Sequence, residues 1–79
     1  DYKAAREKLA ELRERFLAAN DAEHASETMF WLGYCYEKSG SDEQADVFYR
    51  QVLDRYGSTP AADQARMRRK LLERPAGRP

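Results

Sequence analysis

Shifted by 40 residues, the sequence repeats its own apolar pattern: Ala5 falls on Ala45, Leu9 on Tyr49, Leu12 on Val52, Arg15 on Arg55 and Phe16 on Tyr56. Self-similarity at a fixed period marks units that cannot cover their apolar faces alone and must stack on a neighbour. A small residue followed by apolar residues four, seven and eleven positions later lines one stripe of a helix. The alanine permits close approach, and the larger side chains beyond it fill the space between helices. The chain is thereby constrained to helices packed on helices.

Four helices are predicted, at about 2–19, 21–39, 42–56 and 60–73, within a single domain spanning 1–74. Ala5, Leu9, Leu12, Phe16 and Ala19 form the stripe of the first. Asn20, with Glu23 three residues later, reads as a capping box that opens the second, and Gly40 stops it by taking a left-handed cap. Ser41 with Gln44 opens the third in the same way. Its broad face holds Ala45, Phe48, Tyr49, Val52, Leu53 and Tyr56, and Gly57 closes it. Thr59 before Pro60 opens the fourth, because the fixed φ and missing donor of proline suit the first helical position. Pro75 ends it, and Pro75 to Pro79 are expected to be disordered. The chain has no isoleucine and two valines, with no alternation of period two, so strands are not expected. Connections of a few residues make neighbouring helices antiparallel, and the fold class is all-α, built of antiparallel helical hairpins.

The single Cys35 excludes an intrachain disulfide and leaves too few thiols for a structural zinc site. The longest apolar run, Met29 to Gly33, is far too short to span a bilayer. No basic leader precedes the first helix, which leaves open a cytoplasmic chain or a piece of a longer, processed one. Net charge is zero but uneven. Residues 1–58 carry 8 basic and 12 acidic side chains, a net charge of −4, and residues 59–79 carry 6 and 2, a net charge of +4.

From Ser26 to Gly57, the residues Leu32, Gly33, Tyr36, Gly40, Ala45, Tyr49 and Leu53 stand at the signature spacing of the tetratricopeptide repeat, which this segment resembles. Met29 stands where that family has tryptophan, and Gly57 where it closes with proline. The resemblance implies one complete repeat, flanked by the second helix of a preceding repeat and the first helix of a following one. Together these make a four-helix fragment of a right-handed superhelix. The wording Phe30-Trp31-Leu32-Gly33, Ala45, Phe48-Tyr49, Val52-Leu53 and Arg55-Tyr56-Gly57-Ser58 is most similar to repeats of bacterial cell-envelope proteins of the BamD and Tol-Pal-associated kind. That implies a periplasmic or cell-envelope setting. Those repeats end the second helix in Tyr-Pro, whereas Tyr56-Gly57-Ser58-Thr59-Pro60 shifts the proline by three residues.

By the same resemblance, the second helix lines a concave groove through Glu27, Phe30, Tyr34, Glu37 and Lys38, which would hold a protein or peptide partner. These positions lack the Lys and Asn set with which some repeats clamp a terminal carboxylate, so an extended or helical apolar segment fits better. The competing reading is plain packing of a helix that is apolar on nearly every side against the first and fourth helices, with Trp31 assigned to packing. A further alternative is a structural or self-associating slice of a repeat array with no ligand of its own. Catalysis is not expected. His24 and Cys35 share a side of the second helix but lie about 16 Å apart at the helical rise, too far for a dyad or a shared ligand, and Cys35 reads as core filler. No phosphate loop, cofactor site, metal site or small-molecule substrate is indicated.

The basic run supplies the rival reading. On the fourth helix Arg66, Arg69, Lys70 and Arg74 gather opposite Ala61, Ala65, Met67, Leu71 and Leu72, a patch that could grip phosphates or an acidic partner. Cations near a helix C-terminus are also favoured by its dipole, and neutral overall charge without interleaved aromatics does not favour nucleic acid. Arg68 falls inside the apolar arc and makes this helix the least convincing packer.

Overall fold

A computed structural model describes residues 1–73. Arg74 of the basic run and the 75–79 tail lie outside the described residues. The described residues form four helices, α1 (Tyr2–Ala18), α2 (Ala22–Lys38), α3 (Asp42–Arg55) and α4 (Pro60–Leu72), with no strand among them. The fold is all-α, in antiparallel hairpins, as the apolar periods require.

The first two turns share one construction twenty residues apart. At the first, Asn20 takes φ 57°, its N–H donates to the Leu17 carbonyl, and the Asp21 N–H donates to that of Phe16. At the second, Gly40 takes φ 88°, its N–H donates to Glu37, and the Ser41 N–H donates to Tyr36. Both are left-handed closures that satisfy the orphan carbonyls of a helix end. Asn20 thus closes α1 and does not open α2, contrary to the capping-box expectation. Asparagine tolerates the left-handed region because its short amide bonds locally. The cap of α2 is Asp21, whose carboxylate accepts from the His24 N–H at 3.1 Å. Ser41 caps α3 through its backbone only, with no side-chain bond. Thr59 caps α4 as expected, accepting from the Ala62 N–H, with Pro60 behind it.

α2 lies against all three other helices, and α3 also lies against α4. α1 packs chiefly on α2, so its stripe is only half covered and none of its residues is fully buried. The core gathers Met29 and Phe30 of α2, Ala45, Tyr49 and Val52 of α3, and Ala61, Ala62 and Ala65 of α4. The three alanines bring α4 close enough to seal the hairpin.

α2 and α3 come close together at Gly33. A Cβ there would stand 2.7 Å from Cε1 and 2.9 Å from Cδ1 of Tyr49, and 3.2 Å from the Ala45 carbonyl. The two helices therefore nest through residues 33 and 45, with the tyrosine ring in the slot that the missing side chain leaves. Tyr49 is fully buried, so the ring has nowhere to retreat. Replacing Gly33 with alanine should destabilise the chain by about 1–3 kcal/mol through overpacking, although in an open helix the same change stabilises by about 1 kcal/mol. Equilibrium urea unfolding reads this as a lowered midpoint at unchanged slope.

Candidate functional site

The slot at Gly33 sets what the neighbouring side chains must do. The Tyr49 hydroxyl emerges beside α2 and donates to Glu37 Oε1 at 2.8 Å. Glu37 stands in the last turn of α2 and its side chain bonds to nothing on its own helix; its other partner comes from α4, where Arg68 Nε donates to Oε1 at 3.1 Å and Nη2 donates to Oε2. This two-pronged contact is the geometry in which guanidinium and carboxylate pair best. Burial alone would raise the Glu37 carboxyl, but the bonds from Arg68 and Tyr49 and the Arg68 charge outweigh it, and the group sits below its ordinary value. Burial, with Glu37 beside it, pushes the Tyr49 hydroxyl up. The bond to Glu37 raises Arg68. Arg68, a misfit on the apolar arc, thus docks α4 onto α2.

Of the five groove positions expected on α2, the structure divides the set. Phe30 is 4% exposed and belongs to the core, tilted against Tyr49 with ring centroids 5.6 Å apart, so it cannot line an open groove. Glu37 is engaged as described. Glu27 and Lys38 are exposed, and Tyr34 is half-buried. Trp31, assigned to packing, is 44% exposed instead. One residue along a helix turns the side chain by about 100°, which carries position 30 under α4 and position 31 out of it. Trp31 and Tyr34 meet edge to face, with centroids 5.4 Å apart. Lys38 Nζ and Arg68 Cζ lie over the Tyr34 ring at 5.3 and 5.4 Å. The outward strip of α2 is therefore Glu23, Glu27, Trp31, Tyr34 and Lys38.

The basic patch of α4 is largely tied to acids. Arg69 Nε reaches Asp46 Oδ1 of α3 at 2.7 Å, and Arg66 meets Asp63 at 3.0 Å on its own helix. Lys70 is exposed, and Arg74 lies outside the described residues. The sequence pattern missed the Arg69–Asp46 and Arg68–Glu37 pairs because their members are 23 and 31 residues apart.

His24 and Cys35 serve the fold. His24 Nδ1 lies 2.8 Å from Asp21 Oδ2, and its ring stacks on Phe16 of α1 at 5.1 Å. The hydrogen bond to Asp21 raises the imidazole above its ordinary value, while the His24 backbone and ring bonds lower Asp21. The contribution of His24 is full below the ordinary imidazole pKa and is lost as pH rises through the raised one. Cys35 is buried, and burial pushes its thiol up, the reverse of what a nucleophile needs. Among the described residues no group of three metal-ligating side chains comes together, and no helix is long and apolar enough to cross a membrane.

Glu37→Gln, Arg68→Met and the double variant should show a coupling of about 0.5–3 kcal/mol in urea unfolding at neutral pH. Because the Glu37 carboxyl is depressed, its contribution is full above the ordinary carboxylate pKa and is lost as pH falls through the lowered value. The coupling should shrink with acid over that range, and Glu37→Gln should remove this part of the acid dependence.

No curated protein and no solved structure matches the chain. Residues 27–59, which take in most of α2, all of α3 and the turn beyond, match the family model described as Tetratricopeptide repeat, so this segment is similar to one such repeat.

Proposed function

We propose that the chain is a protein-interaction module that takes a segment of a partner protein along the outward strip of α2, with Trp31 and Tyr34 as its apolar anchors. Tetratricopeptide repeats generally mediate protein–protein contacts and are typically non-catalytic scaffolds. The observation that carries the reading is Trp31, 44% exposed on a helix whose other apolar side chains are mostly packed. Tryptophan and tyrosine combine large contact area with a polar tip, and they dominate interaction hot spots. Glu27, Tyr34 and Lys38 of the expected groove remain on this strip; Phe30 and Glu37 support it from beneath. A cell-envelope setting belongs to the same proposal, supported by the sequence resemblance alone and checked by cell fractionation.

Peptides selected from a displayed random library against the chain should lose affinity by about tenfold or more on Tyr34→Ala or Trp31→Ala, as hot-spot truncations do. Unchanged affinity in variants that keep their helical circular dichroism would remove the reading.

A second reading rests on α4. Met67 and Leu71, 65% and 42% exposed and one turn apart, form an apolar edge that supports self-association. Sedimentation velocity over a wide concentration range would then show a rising average mass, which Met67→Lys should abolish; a constant monomer mass speaks against it.

A further inference from the structure

The strip of α2 has a charge order as well as an apolar centre. We infer that the partner segment is bipolar: it carries cationic side chains at one end, apolar residues in the middle and carboxylates at the other end. Its cations meet Glu23 and Glu27, and its carboxylates meet Lys38. This rests on the groove reading above and specifies the chemistry of its occupant.

The charges facing the strip divide into those already held and those that are not. His24, beside the acidic end, is bonded to Asp21, and Arg68, beside Tyr34, is bonded to Glu37. Among the described residues, the side chains of Glu23, Glu27 and Lys38 enter no ion pair and no side-chain hydrogen bond; Lys38 Nζ lies over the Tyr34 ring, 5.3 Å from its centroid, with no anion bonded to it. The helix dipole accounts for an acid in the first turn and a cation in the last, and so for Glu23 and Lys38. It does not account for Glu27, which stands beyond the first turn where the dipole has faded. Glu27 therefore extends the acidic end toward Trp31, and the strip reads acid, aromatic, base in order along one row.

Its length selects the segment. Glu27 and Lys38 are separated by about 16 Å along the helix, which an extended chain spans in about five residues. Between them, Trp31 and Tyr34 offer room for two apolar side chains. Complementary charge at both ends fixes register and excludes uniformly charged competitors, which leave one end facing like charge.

Trp31 is the single tryptophan, so its fluorescence reports binding directly. The probes are three capped octapeptides without tryptophan: Lys-Lys-Leu-Gly-Phe-Gly-Glu-Glu, whose leucine and phenylalanine face the same side of an extended chain, the same core with lysine at both ends, and the same core with glutamate at both ends. The bipolar peptide should bind at least about threefold more tightly than either uniform one at low salt, and the difference should collapse near 1 M salt, where screening acts within about 3 Å. Lys38→Glu should move the preference to the all-lysine peptide, and Glu23→Lys with Glu27→Lys to the all-glutamate one. Helical circular dichroism establishes that each variant is folded. Equal binding of the three peptides, lost in Trp31→Ala, would overturn the bipolar assignment and leave the groove standing. A preference that Lys38→Glu does not move would overturn it as well. No fluorescence change with any peptide at millimolar concentration would sink the groove and its charge order together.

Discussion

A missing Cβ at Gly33 starts a sequence of demands that ends at the fourth helix. The tyrosine ring of residue 49 enters the slot, at a distance no side chain on residue 33 would allow. A buried ring of this kind brings a hydroxyl that must find a partner, and Glu37 accepts from it. A carboxylate in that half-sheltered place needs compensating charge in turn, and Arg68 supplies it from α4. The third and fourth helices are thus bound to α2 by consequences of one glycine, and the alanines of α4 close the remaining gap.

This accounts for the uneven charge along the chain. The negative first part and the positive last part meet across the interface of α4 with α2 and α3, through Glu37–Arg68 and Asp46–Arg69. What looked like a basic surface on one helix is in good part a docking device for that helix. The same pairs remove Arg68 and Arg69 from the charges open to a partner.

The helices, their antiparallel order and a close approach at the repeated alanine, residue 45, were legible because each follows from local spacing: period, turn, small residue. Arg68 was not, because a hydropathy pattern scores a cation on an apolar arc as a misfit until its partner 31 residues away is known. Phe30 and Trp31 were exchanged for a related reason. The pattern shows that α2 is apolar all round, but which flank α4 covers depends on the path of the chain after Gly57. Asn20 was misread because asparagine suits both a helix start and a left-handed stop. The residue twenty positions later, Gly40, closes its helix in the left-handed region and offered the signal that separates the two.

The division of α2 into an inner and an outer face also limits what the site can hold. α1, α3 and α4 take up most of its circumference, so the open part is one row of side chains, spaced four, four, three and four residues apart. A row one side chain wide gives a globular partner little area, well short of the roughly 800 Å² per partner of a stable interface. An extended segment uses such a row efficiently, because its own alternate side chains can all face the same way. On the proposed reading, the affinity of a segment is concentrated in the few contacts at the centre of the row. That places the energetic weight on the aromatic pair, and leaves the charges at either end to determine which segment is accepted and in what register.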